Sequence, residues 1–315
     1  MRKLVWALIG LAVLGLACFG ALQLAIARNG PAVLDNVDRM ASFGTGGTLI
    51  ERASYGDNPA QQIFVFRSGD SLEPRPTIVF VHGGSWANGN AADYGFAGRS
   101  LAERGYLVVV AGYRLYPDAR YPDMLEDTAS AIAWAHRNVD RLGGDAQAVW
   151  LMGHSAGAYN VVQVALERRW LDAEGVPSTS IAGVVGLAGP YDFHPFDTDS
   201  TRNSFGDAAD PEATQPVNHV RPDAPPMLLV HGEPDTTVKV RNSQALAKTL
   251  EDAGGTVELM IYPEMDHYDP LLSIARPWRD RRDVMARIES FIAKNSLRRN
   301  EKDTASSLDV QGESR

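Results

Sequence analysis

Cysteine is almost missing: Cys18 is the only one in 315 residues. One thiol builds no disulfide framework, so an apolar core has to hold the fold, and the count is silent about redox compartment. Positive charge is also short, with 30 Lys and Arg against 39 Asp and Glu, a formal net charge of -9. No Arg/Lys patch interleaves with aromatics, so nucleic acid is not expected as a partner. His82, His154, His231 and His267 stand apart, with no H-E-x-x-H or comparable spacing. No metal and no other cofactor is therefore expected. No internal repeat is found, which excludes solenoids and propellers. What remains is 44% apolar and 22% charged, enough for one large domain with a substantial core.

Charge is absent from one long run, Leu4 to Ala27, which Arg2 and Lys3 precede. As a helix the run is about 36 Å long, more than the ~30 Å of a hydrocarbon layer. Residues 1–28 are therefore expected to form a transmembrane anchor or signal segment. The membrane is a partner through residues 4–27, and the chain is a single-pass cell-membrane protein with its main domain extracytoplasmic. Ala25-Ile26-Ala27 resembles a cleavage site, so a secreted or periplasmic form is the alternative. Residues 29–47 read as a linker or loose helix. Residues 296–315 are polar and read as a disordered tail.

Between these ends, residues 48–295, apolar runs alternate with helical patterns. Thr48 to Ser54 and Gln61 to Arg67 read as an antiparallel pair around the turn residues Gly56-Asp57-Asn58-Pro59. Strands follow at Thr77 to Val81, Leu107 to Ala111, Ala148 to Met152, Ile181 to Leu187, Met227 to Val230 and Val257 to Tyr262. Helices are expected at Asp93 to Glu103, Asp123 to Arg141, Ala158 to Trp170, Val240 to Ala253 and Arg281 to Ala293. Such alternation implies a mostly parallel sheet flanked by helices. Residues 189–226 break the rhythm with several prolines and reads as a loop-rich insertion near the site.

Chemistry concentrates where strands end. Gly153-His154-Ser155-Ala156-Gly157 lies between an apolar strand and a helix, the context of a nucleophile elbow. By itself the pentapeptide also suits a helix N-cap serine. His82-Gly83-Gly84-Ser85-Trp86 follows another strand. Two adjacent glycines let amides turn inward, so Gly83, Gly84 and Ala156 are candidate oxyanion donors. His82 is expected to pin that loop, with Trp86 and Asp192 as further loop-support or pocket residues. Asp235 and His267 each stand just past a strand end, where ligands bind in an open parallel sheet. The order Ser155, Asp235, His267 is that of nucleophile, acid and base. Glu233, Asp266 and Asp269 are rival acids.

Together these residues resemble the α/β-hydrolase superfamily, carboxylesterase/lipase group, close to the hormone-sensitive-lipase-like and BD-FAE-like esterases. Tyr113-Arg114-Leu115 with Pro117, and Pro122 with Glu126-Asp127, belong to the same pattern. The resemblance implies an α/β-hydrolase fold with an eight-stranded, mostly parallel sheet, behind the N-terminal helix. It implies a serine esterase acting on small to medium acyl esters with water, through an acyl-enzyme. An arylformamidase-like amide deacylase is the alternative within the fold, and an inactive binding module the alternative outside enzymes. Oligomeric state is not readable.

Overall fold

The computed structural model describes residues 2–42 and 46–312. Eight strands form one sheet: β1 Thr48–Ser54, β2 Gln62–Arg67, β3 Arg75–Val81, β4 Leu107–Ala111, β5 Gly144–His154, β6 Ile181–Leu187, β7 Met227–Gly232 and β8 Val257–Tyr262. Their spatial order is β1-β2-β4-β3-β5-β6-β7-β8. β1, β2 and β4 pair antiparallel, and every pairing from β4 through β3 to β8 is parallel. The helices are α1 Arg2–Ser42, α2 Gly95–Glu103, α3 Asp123–Asn138, α4 Ala156–Leu166, α5 Arg169–Ala173, α6 Asp199–Phe205, α7 Arg241–Asp252, α8 Asp269–Leu272 and α9 Val284–Gly312. This is the α/β-hydrolase fold.

The central strands are apolar on both faces because both faces are covered. Alternation by two sorts their side chains. Val79, Val81, Val109, Leu151 and Leu229 face a core shared with α3, α4 and α7. Ile78, Phe80, Val110, Met152 and Val230 face a second core with α2 and α9. Several sequence readings shift at their edges. The expected helix from Asp93 opens as a 3-10 turn, Ala91–Tyr94, capped by the Asn90 side chain. The insertion 189–226 carries α6 and two 3-10 turns.

The N-terminal region departs most from expectation. By length and composition alone, one helix there is apolar enough to cross a membrane, a test that a signal sequence also passes. The helical path is broken at Asn29, whose φ of -156° and ψ of 78° are not helical. Asn29 Oδ1 accepts the Ala32 amide, so a second helical segment starts with its own cap and with Pro31 in its first turn. Residues 29–42, read as a linker or loose helix, form a helical segment docked on the domain. Leu34, Asp35 and Asp38 are buried. Arg99 of α2 reaches both carboxylates, at 2.7 Å to Asp35 and 2.8 Å to Asp38. The Arg276 amide donates to Asp38 as well. Local polarity hid this segment, since its polar residues face an arginine inside the protein rather than water. Residues 43–45 of the expected linker lie outside the described residues.

The tail also differs. Residues 296–312, read as disordered, continue α9, as their Leu, Arg, Glu, Lys and Gln content permits. Residues 313–315 lie outside the described residues.

Removing Arg99 leaves two buried carboxylates without their main cation. Arg99→Met is expected to lower unfolding free energy by about 3 kcal/mol in urea titration. Arg39→Met, at the exposed end of the same network, is expected to change it by less than about 0.5 kcal/mol.

Candidate active site

Ser155 sits at the turn between β5 and α4 with φ 54° and ψ -122°. A side-chain-bearing residue held there costs on the order of 1–3 kcal/mol. Close packing around it enforces the turn. A Cβ on Gly153 would lie 2.4 Å from Gly157 carbonyl carbon, and one on Gly157 would lie 2.2 Å from Val81 O. Only glycine lets strand, turn and helix approach this closely. Ser155 occupies the N-cap position of α4, yet its side chain caps no amide. Its hydroxyl meets His267 instead, with Oγ 2.9 Å from Nε2.

The other two residues arrive on loops beyond β7 and β8. Gly232 brings these loops together, because a Cβ there would stand 1.9 Å from Met265 O. His267 Nδ1 is 2.7 Å from Asp235 Oδ2. Ser155, Asp235 and His267 are all buried, at 7%, 3% and 5% exposure. The other Asp235 oxygen accepts the amides of Thr237 and Val238. Burial alone would raise this carboxyl's pKa, but hydrogen bonds from His231, His267 and Val238 outweigh it and hold it below the usual carboxylate range. Asp235 is therefore an anion fixed at both oxygens. Asp266 and Asp269 are occupied with the loop itself. Asp266 Oδ1 accepts the Tyr268 and Asp269 amides, and Asp269 Oδ2 accepts the Asp266 amide.

The glycine loop after β3 lies directly beside the serine. A Cβ on Gly83 would stand 3.2 Å from Ser155 Cβ. Gly84 has φ +123°, and Ser85 and Trp86 also have positive φ, so the backbone coils tightly here. Ala156 opens α4, where a helix amide has no intrahelical acceptor. Gly83 thus stands against Ser155 on one side, and Ala156 follows the serine in the chain. His82 is buried, and its Nδ1–H donates to Gly83 O at 2.7 Å. Its ring stacks on Tyr113 and Tyr94. Trp86 Nε1–H donates to Asn160 on α4, and its ring packs against Tyr159, Phe193 and Phe205. The Asp192 amide is held by Asn242 Oδ1, and its half-buried carboxylate has no partner among the described residues.

Three residues have supporting roles that the sequence did not specify. His154 Nε2–H donates to the backbone oxygen of His267 at 2.9 Å. His231 Nε2–H donates to Val238 O and lies 3.3 Å from Asp235 Oδ2. Gln215 Oε1 accepts the Phe193 and His194 amides, folding the insertion back on itself. The two histidines were visible as the variable residue of the elbow and the residue before Gly232. Nothing local marks Gln215. Among the described residues no His/Cys/Asp/Glu group is arranged to hold a metal.

Comparison with known proteins agrees with this architecture. The BD-FAE family profile matches residues 65–250. Esterase LipC of Mycobacterium tuberculosis is 32% identical over 246 residues, covering 71% of this chain and 61% of that protein. The chain thus spans about three-fifths of that relative's length. A truncated carbohydrate esterase from gut microbiota superposes with TM-score 0.69 at 17% identity, covering 80% of this chain and all of the other. Apo Thermogutta terrifontis esterase 2 gives TM-score 0.61 at 24% identity, over 69% of this chain and 84% of the other. These matches correct the expected localisation. They are esterase structures, and against them the assignment of a single-pass, membrane-anchored extracytoplasmic enzyme does not stand.

Burial pushes the His82 pKa down to about 4, against a partial rise from Gly83. Burial, with help from His267, pushes His154 down to about 3. Unfolded histidine takes up a proton near pH 6.5, so here the unfolded chain binds more protons below that pH. Stability is expected to be full above pH 6.5 and to fall as pH drops toward 4, by about 2 kcal/mol per histidine at pH 5. Urea titrations at pH 7 and pH 5 measure this, and His154→Gln should remove about half the difference. His154→Phe, which loses the donor to His267, is expected to lower kcat roughly tenfold or more with little change in KM. His154→Gln should recover part of that loss.

Proposed function

Because the chain belongs to the BD-FAE family, we propose that it is a serine hydrolase that cleaves carboxylic esters of small to medium acyl groups. The observation that carries this reading is the unbroken hydrogen-bond line from Ser155 Oγ through His267 to Asp235. His267 Nε2 takes the serine proton as Oγ attacks the acyl carbonyl. Asp235 accepts Nδ1–H, holds the tautomer, and stabilises the imidazolium that forms. The developing oxyanion is received by the Ala156 amide and by the amides of Gly83 or Gly84. His267 then protonates the leaving alcohol. In the second half the same nitrogen activates water, which releases the acid from the acyl-serine.

The acyl preference rests on the aromatic wall. Trp86, Tyr159, Phe193 and Phe205 pack on one another beside α4, and none is more than 8% exposed. A wall filled by its own rings supports a short acyl group over a long one. Asp235 is held ionised by its hydrogen bonds, so the partner that fixes the His267 tautomer keeps its charge throughout the working range.

Labelling with a fluorophosphonate probe tests the nucleophile. Wild type is expected to react, and Ser155→Ala to remain unlabelled. On p-nitrophenyl acetate, Ser155→Ala should lose at least about a thousandfold in kcat. Acetyl and butyryl esters should be cleaved faster than palmitoyl esters, with no jump at an oil interface. The reverse order would remove the acyl-size part of the reading.

A further inference from the structure

Tyr268 follows His267 directly, and its ring is treated unlike the others in the domain. It is 55% exposed. The other aromatic rings among the described residues from 46 onward are buried or half-buried. Yet the residue beneath the ring is firmly held. The Tyr268 amide donates to Asp266 Oδ1 at 2.8 Å, and its carbonyl accepts the Leu272 amide at 2.9 Å. Arg282 fixes Asp269 in the same turn at 2.8 Å. An apolar ring presented to solvent from a rigid turn has already met most of the ordering cost of binding.

The ring also has a definite place. It stands edge-on to the imidazole of His267, with centroids 5.3 Å apart and planes at 78°. It is 6.1 Å from the His154 ring. Burial, and then the nearby Tyr268 phenol, raise the pKa of Tyr94, the residue stacked under His82. His154 Nδ1 in turn lies 3.1 Å from where a Cβ on Gly83 would stand, so Tyr268 flanks His267 on the side of His154 and the glycine loop. Its hydroxyl makes no hydrogen bond among the described residues. During ester cleavage the leaving oxygen takes its proton from His267 Nε2, so the group attached to that oxygen lies beside the imidazole. It comes within a ring's width of Tyr268.

We propose that Tyr268 forms the wall of a leaving-group subsite, and that the alcohol part of the preferred ester is a flat aromatic group packing on its exposed face. This rests on the ester-hydrolase reading above and adds the side of the substrate that the triad leaves unspecified. Aromatic pairs of this kind gain beyond simple area burial. An alkyl alcohol of equal acidity leaves as readily but stacks poorly, which separates recognition from chemistry.

The experiment uses two acetate esters matched in leaving-group acidity, one aryl and one fluoroalkyl, on the full chain. In wild type the aryl ester is expected to have the higher kcat/KM. In Tyr268→Ala the aryl-to-fluoroalkyl ratio of kcat/KM should fall roughly tenfold, most of it in KM for the aryl ester. Tyr268→Phe and Tyr268→Trp should keep the ratio. Persistent fluorophosphonate labelling of Tyr268→Ala shows that the variant is folded with a competent serine. An unchanged ratio, or an equal loss on both esters, overturns the subsite, the second because Tyr268 would then only support His267. Wild-type protein that cleaves neither ester and takes no label overturns the hydrolase reading, and the subsite with it.

Discussion

Between Gly157 and the carbonyl of Val81 there is no room for a methyl group. That contact joins the start of α4 to the end of β3, and the site is arranged around it. It turns the chain so sharply at Ser155 that the hydroxyl leaves the helix it would otherwise cap. It also sets the glycine loop after β3 against the serine, with Gly83 beside Ser155. A looser turn would separate nucleophile and loop by the width of a side chain. The backbone strain at Ser155 is offset by the sheet and helix packed on either side, both deep in the core.

Three buried histidines do a common job around that turn. His82 donates to Gly83 O in the glycine loop, His154 to His267 O in the loop after β8, and His231 to Val238 O in the loop after β7 that carries Asp235. Each ties one loop at the site by a backbone oxygen, which leaves side chains free to face the site. For His82 and His154, burial keeps the ring neutral, so these ties do not change with protonation over the physiological range. The scattered histidines that formed no metal motif in the sequence are thus the fasteners of the site.

How much of this was legible varied with the range of the interactions. The strands read well because each is buried on both faces and declares itself as a short apolar run. Ser155, Asp235 and His267 stood at strand ends in hydrolase order, and the fold brings them into one line. Arg114 and Asp127, noticed only as parts of a pattern, form a multidentate pair that Gln61 joins. The segment after Asn29 was misread because Asp35 and Asp38 look solvated until Arg99 is known to face them. Gln215 was invisible for the same reason. Its partners, Phe193 and His194, are fixed by a path of the insertion that no local pattern specifies. The N-terminal apolar run was read from its length, its lack of charge and the Arg2-Lys3 pair before it, and these do not decide where a protein resides.

The insertion is held to the domain through both of its halves. Tyr159 of α4 donates to Thr214 O, Gln215 gathers Phe193 and His194, and Arg221 donates to the last carbonyls of α4 at Ala165 and Leu166. The earlier half touches the glycine loop through the Ser200 hydroxyl, which donates to Ser85 O. Its middle is pinned too: the Tyr121 amide donates to Ser204 O, Arg120 pairs with Asp207, and the Phe205 ring is buried against Trp86 and Tyr159. The insertion is thus stitched down along its length, so a residue change that displaces Phe205 is passed through Trp86 to the glycine loop beside the serine.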